Sequence, residues 1–338
     1  MSLHIPISNI TPQSFDTIPI TAFAGLIALS MVLIAGRPAI RLLARFCREP
    51  NFSNSKKLEA LHAHKDRTPT MGGLLILAAI ATTSLLFAEI TTPAFLLGAV
   101  VLVGFGIIGL LDDSFKLHTG RKGLSAKTKL LAQLAVATIA AVLLYRTTDT
   151  GLHIPLIGDT IPIDRWYIPL AVFIITGSSN AVNLTDGLDG LAAGCLACCF
   201  GAMTLFALFI THTTTPSIAV MLAATTGAVI GFWRFNRYPA RVFMGDVGSL
   251  PLGALLGLFA LLTGLELVLA VLGIIFVAEA LSVIIQVGAF KLKKRRVFLC
   301  APLHHHFQFL GWSETTIVRR FHLVAFAGAV VAVMLSLL

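Results

Sequence analysis

The chain has 338 residues, 57% of them hydrophobic and only 12% charged, with a mean hydropathy of +0.89. That is too little polar surface to clothe a soluble globule of this length, so an integral membrane protein is expected. The net charge of +9 is concentrated in a few short connections, a distribution that membrane topology alone produces and that argues against nucleic acid as a partner.

Runs of roughly 17 to 25 apolar residues match the length a helix needs to cross the hydrocarbon core. About ten occur, centred on Ile27, Leu77, Val103, Val136, Ile174, Met203, Ala224, Leu256, Ile275 and Ala327. The expected fold is therefore an all-α polytopic membrane protein of about ten transmembrane helices, with residues 1–338 forming one domain. The first run lacks a basic segment before it and reads as a retained span. Between the fourth and fifth runs, Thr147 to Asp164 carries Gly151, Pro155, Gly158 and Pro162 among alternating residues, the pattern of a short hairpin at the outer surface.

Each crossing reverses the chain, so the connections after the first, third, fifth, seventh and ninth spans share one face. Lys and Arg number eight between Arg37 and Arg67, five between Lys116 and Lys129, three between Arg234 and Arg241, and seven between Lys291 and Arg320. These are 23 of the 25 cations. The positive-inside rule makes this face cytoplasmic and puts both termini outside.

Five polar clusters fall on that face. Lys65-Asp66-Arg67-Thr68-Pro69-Thr70-Met71-Gly72-Gly73 opens the second span, where free N–H groups at a helix start can cradle a phosphate, or where proline and lysine simply mark the start of a span. Asp112 and Asp113 end the third span with Lys116 one turn on. Adjacent carboxylates at a membrane boundary need a cation, a metal or a catalytic reason. Lys127 and Lys129 follow, either as topogenic charge or as contacts to a phosphorylated substrate. The third cluster, Ser178 to Gly190, has no cation, and Asn183, Asp186 and Asp189 recur at spacing three. On a helix they would form one stripe of oxygens suited to a divalent cation or to sugar and base hydroxyls. In the fourth, Asn236 precedes Phe243-Met244-Gly245-Asp246-Val247-Gly248-Ser249, and one carboxylate between two glycines at the mouth of a span suits a single metal ligand. The last is Pro302-Leu303-His304-His305-His306-Phe307 after a basic run. Three consecutive histidines cannot easily converge on one ion, so donors or acid/base groups for a diphosphate are expected. Cys195, Cys198 and Cys199 lie inside an apolar run and read as packing. No G-x-x-x-x-G-K-[ST] occurs, which argues against a P-loop ATPase.

Taken together, Thr68 to Gly73, the Asp112-Asp113 pair, Asn183 to Gly190, Met244-Gly245-Asp246 and Pro302 to Phe307 resemble the phospho-N-acetylmuramoyl-pentapeptide transferases, within the polyprenyl-phosphate N-acetylhexosamine-1-phosphate transferase superfamily. The resemblance runs from about Arg45 to Arg320. It implies Mg²⁺-dependent transfer from UDP-MurNAc-pentapeptide to undecaprenyl phosphate, with a homodimer left open. It also implies roles: Asp246 as the metal ligand, Asp112 as base or nucleophile, Asp113 as support for metal and phosphates. Asn183, Asp186, Asp189, Asn236 and Phe243 would shape the nucleoside pocket. Lys65, Thr70, Lys116, Lys129 and His304, His305 and His306 would surround the phosphates and sugar, with the histidines counted among the catalytic groups. Gln308 stands where the family pattern has Glu. A sister transferase moving GlcNAc-1-phosphate is the nearest alternative. A secondary transporter is the alternative of another class, and its ionisable groups would sit near the bilayer midplane.

Overall fold

The computed structural model describes residues 12–47, 65, 68–119, 123–148, 151–154, 160–209 and 215–337. Asp66, Arg67, Pro155 and Gly158 lie outside these residues. Every predicted span centre falls within its own helix. The order is α1 (Pro12–Phe46), α2 (Gly73–Phe87), α3 (Pro93–Thr119), α4 (Ala126–Thr147), a small antiparallel pair β1 (Gly151–His153) and β2 (Thr160–Pro162), then α5 (Tyr167–Thr185), α6 (Leu191–Phe209), α7 (Pro216–Asn236), α8 (Asp246–Leu262), α9 (Leu269–Leu272), α10 (Ile274–Lys293), α11 (Leu303–Phe309) and α12 (Glu314–Leu337).

Backbone groups have no water to bond in hydrocarbon, so long apolar segments close their hydrogen bonds internally as helices. Eight of these are long and apolar enough to cross a membrane, and α2 and α8 are shorter apolar helices. The starts are marked locally. Ser125 accepts the N–H of Thr128 at 3.1 Å to cap α4, Pro216 opens α7, and the Ser313 hydroxyl accepts the N–H of Thr316 ahead of α12. The β1–β2 pair, Gly151 opposite Pro162, is the expected hairpin.

Helix α8 is the hub. Each residue from Asp246 to Leu261 is buried, with α3 and α5 packed along it. Little pull between apolar helices exists in lipid, so close backbone approach at small residues carries the packing. Gly253 sits where a Cβ would meet the Ser178 carbonyl at 2.5 Å, and Gly257 repeats this against Ile174 one turn on. Gly73 of α2 and Gly248 of α8 touch backbone to backbone. The periphery remains apolar: Phe173, Leu86, Ile284 and Leu323 all point outward, as a lipid-facing surface requires. The five cysteines are all free, and the Cys199 thiol donates to the Leu272 carbonyl, which fits their reading as packing.

Candidate active site

Asp112 and Asp113 stand in the penultimate turn of α3, close to the helix C-terminus, where the helix dipole disfavours negative charge. Three features offset this. Lys116, one turn on, bonds Asp112 Oδ2 at 2.8 Å and Asp113 Oδ1 at 3.1 Å. The Leu124 N–H donates to Asp112 Oδ1 at 2.9 Å, and the Val247 N–H, at the start of α8, donates to Asp113 Oδ2 at 3.0 Å. Asp113 thus satisfies one of the orphan donors of α8 while α8 brings Asp246 in beside it. Gly245 makes this junction possible: its φ is +74°, and a Cβ there would stand 2.6 Å from Asp113 Oδ2.

Carboxylate oxygens of Asp112, Asp113 and Asp246 all lie within 4.8 Å of one another. Lys116 Nζ reaches Asp246 Oδ2 at 3.1 Å, so one ammonium bridges three carboxylates. Lys129, from the first turn of α4, pairs with Asp246 and stands 3.9 Å from Asp112. Lys127, its neighbour in the sequence, is exposed. Asn183, on the last turn of α5, donates to Asp246 Oδ1 at 2.7 Å and to Ser249 Oγ at 2.9 Å, fixing the carboxylate from the far side. Three carboxylates against two ammonium groups leave net negative charge in a pocket closed on most sides. An all-oxygen donor set of this kind fits a hard divalent cation such as Mg²⁺, and Lys116 Nζ already takes a cation's place among the three.

Helix α5 stops at Thr185, so the expected stripe of Asn183, Asp186 and Asp189 is not formed. Asp186 is the residue after the helix, with φ −79° and ψ 49°. It is half-buried, and burial, followed by the charges of Asp246, Asp113 and Asp189, pushes its carboxyl up to about 7. Asp189 turns away, into a second buried cluster. There Lys65 Nζ bonds Asp189 Oδ1 and Glu314 Oε1, each at 2.6 Å. Glu314 Oε1 also accepts the Asp189 N–H, and Asp189 Oδ2 accepts the Ala240 N–H at 2.8 Å. The helix ends at Thr185 and the backbone runs through turns from Asp186 to Gly190, which separates the two carboxylates.

Of the Lys65 to Gly73 cluster, expected either as a phosphate cradle or as a plain span start, the N–H groups of Gly72 and Gly73 are engaged elsewhere. Gly72 and Gly73 donate their N–H groups to the carbonyls of Phe243 and Met244, and Thr70 donates to Cys47. Phe243 in turn donates to Pro69. These donors are consumed in stitching the two motifs together, which sets the buried Thr70 beside Gly245 and Asp113 and leaves Phe243 half-buried. Asn236 is likewise engaged: its Oδ1 accepts from Gly190 and its Nδ2 donates to the Val242 carbonyl, so it joins the loops on either side.

The histidines take different hydrogen-bond partners, although the His304 and His305 rings lie only 4.1 Å apart. His304 Nδ1 lies 3.0 Å from Glu279 Oε1, which also accepts the His304 N–H at 3.1 Å. His305 Nδ1 meets Gln308 Oε1 at 2.8 Å, and His306 Nδ1 accepts the Leu299 N–H at 3.2 Å. A Cβ at Gly187 would collide with His304 Nε2, so this glycine lets the third and fifth clusters touch. The Glu279 and Glu314 contacts were not anticipated. Glu279 is a lone acid inside the apolar α10 and Glu314 a lone acid opening α12, and only that isolation could have flagged them.

The match to known proteins agrees with this geometry. The family model described as glycosyl transferase family 4 matches residues 94–264. A protein named phospho-N-acetylmuramoyl-pentapeptide-transferase from Caldanaerobacter subterraneus subsp. tengcongensis is 43% identical over 306 residues, covering 89% of this chain and 94% of its own. One of the same name from Geobacillus kaustophilus is 44% identical, covering 86% and 91%, and one from Desulfosudis oleivorans is 42% identical, covering 98% and 96%. The chain belongs to glycosyl transferase family 4, among its phospho-N-acetylmuramoyl-pentapeptide transferases.

Proposed function

We propose that this chain is a single-domain, multi-pass enzyme of the bacterial cytoplasmic membrane that moves phospho-MurNAc-pentapeptide from its UDP carrier to undecaprenyl phosphate. The products are UMP and lipid I, the first lipid-linked precursor of peptidoglycan. The observation that carries the reading is the meeting of Asp112, Asp113 and Asp246 with Lys116 and Lys129 at one end of the helix bundle.

Two anionic substrates must be brought phosphate to phosphate, and the barrier falls when charge is neutralised and the reactants are held in line. Lys116 and Lys129 supply mobile ammonium groups that can exchange a carboxylate for a phosphoryl oxygen. Mg²⁺ bound by Asp246 with Asp112 and Asp113 would supply Lewis-acid neutralisation of the diphosphate. Asp112, fixed at Oδ1 by the Leu124 N–H, would use Oδ2, once Lys116 turns to phosphate, either as base toward the acceptor phosphate or as nucleophile on the sugar-linked phosphorus of the donor, with UMP leaving and the acceptor phosphate then displacing Asp112. Asp113 and Asn183 hold the partners still. Asp186, with Gly187 and the Phe243 ring, stands where the nucleoside would rest, and His304 faces the same loop. The polar groups gather at one end of the bundle, with Glu279 buried inside α10, which does not match the midplane site of a transporter.

The test is UMP release by detergent-purified protein given undecaprenyl phosphate and UDP-MurNAc-pentapeptide, with Mg²⁺ present or chelated. Mg²⁺-dependent UMP with a lipid-linked product is expected. Turnover with UDP-GlcNAc alone would move the chain to the sister activity, and turnover undiminished by chelation would remove the metal.

A further inference from the structure

A second anion-complementary site lies at the end of α1, built from cations that the carboxylate cluster does not use. Arg37 and Arg41 stand one helical turn apart, and Arg241, in the segment between α7 and α8, joins them. With Ile40 and Phe235 they line a cleft of about 470 Å³. Helix packing brings them together: a Cβ at Gly36 would collide with the Phe235 ring, so α1 and α7 are in direct contact beside the guanidinium groups. The Arg241 N–H donates to the Phe235 carbonyl at 2.9 Å, which holds that residue against the end of α7. Among the described residues no carboxylate pairs with Arg37, Arg41 or Arg241. Lys65, Lys116 and Lys129, by contrast, each contact at least two.

The surface leading to this cleft is apolar and outward. Leu26 is 59% exposed, Leu33 41% and Ile34 78%. Spacings of seven, then three or four, then four put Leu26, Leu33 and Ile34, Arg37 and Arg41 on one helical stripe. An aliphatic track that ends in three guanidinium groups, unpaired among the described residues, over an apolar floor is complementary to one class of molecule. Its phosphate takes the arginines, which bond phosphate oxygens in a planar fork, and its acyl chains lie along the track. We propose that this cleft binds the headgroup of an anionic glycerophospholipid. The site is separate from the catalytic cluster and independent of the transferase reading.

Native mass spectrometry of the detergent-purified full chain tests this, with phosphatidylglycerol, phosphatidylcholine of the same acyl chains, glycerol phosphate and inorganic phosphate titrated separately. Phosphatidylglycerol should be retained at least about 10-fold more tightly than phosphatidylcholine, with both soluble phosphates weaker still. The double change Arg37→Gln and Arg41→Gln should remove one tightly held phosphatidylglycerol, lowering its affinity roughly 20- to 30-fold at about fivefold per cation, and Arg241→Gln should lower it about fivefold. Arg37→Lys with Arg41→Lys keeps the charge that orients the helix and should lose less, so insertion defects are separable from loss of the site. Equal retention of the two lipids by the unaltered chain would overturn the proposal. So would unchanged retention in the double Gln variant. Inorganic phosphate held as tightly as the lipid would make this a site for free anions instead.

Discussion

Asp112 and Asp246 occupy different positions around the same ammonium groups, and their substitutions should separate. Asp246 is met by Lys116, Lys129 and Asn183, and sits at the N-terminus of α8. Asp246→Asn removes the charge on which those contacts converge. Turnover should fall at least about 100-fold, the scale for losing one preorganised electrostatic group, and raising Mg²⁺ in the UMP-release assay should recover part of it. Normal turnover at limiting Mg²⁺ would take Asp246 out of any metal site. Asp112→Asn should lose turnover to a similar degree while retaining the UDP-substrate, read by direct binding of radiolabelled substrate, because Asp186 and Phe243 are untouched. Lys65 presents the opposite case. Its ammonium is buried between Asp189 and Glu314, so Lys65→Met leaves two carboxylates facing each other without a cation. Removing one partner of a buried pair costs about 3 to 5 kcal/mol. The variant should precipitate at lower temperature in detergent than the parent, and Glu314→Gln should lie between them.

Helices and their contacts were unequally legible in the sequence. Length and hydropathy located each apolar helix because the constraint is local: a backbone in lipid must bond to itself. The Asp112-Asp113-Lys116 grouping was legible for the same reason, being set by helical spacing. Asp189 was misplaced because α5 ends at Thr185 and Asp189 pairs with a lysine 124 residues away, neither of which leaves a periodic trace. Nor does a local pattern reveal that the N–H groups of Gly72 and Gly73 are taken by carbonyls of a distant segment. The Gly73–Gly248 contact tests how far α2 and α8 depend on this stitching. Gly248→Leu must part the two helices and with them Asp246 from Asp113, so activity should vanish and the detergent-purified protein should elute as aggregate. Gly288, on α10, has no neighbour within 4 Å of its Cβ position. Gly288→Ala should be silent in activity and, by helix propensity, neutral or stabilising by up to about 1 kcal/mol. A silent Gly248→Leu would mean that the contact between α2 and α8 is not what positions the site.

At the scale of the whole molecule, the catalytic reading depends on which side of the membrane receives the carboxylate cluster. A UDP-sugar is a soluble cytoplasmic metabolite, and the 23 cations that the sequence puts in the connections of one face argue for that side. The native cysteines offer a direct reporter. Cys300 lies in the segment between α10 and α11, partly exposed, four residues from His304. Cys195 and Cys199 are buried within α6 and out of reach of a water-soluble reagent. With Cys47 and Cys198 replaced by serine and alanine, a membrane-impermeant maleimide should label the chain in inside-out vesicles. It should leave the chain unlabelled in right-side-out vesicles until detergent is added. The replacements should barely change activity, because neither cysteine touches the carboxylates or the lysines. Labelling from the outside alone would put His304 and the Asp112, Asp113 and Asp246 cluster on the face opposite the nucleotide pool. A chain so oriented could not draw a UDP-linked donor from the cytoplasm, however well its carboxylates and lysines were arranged to use one.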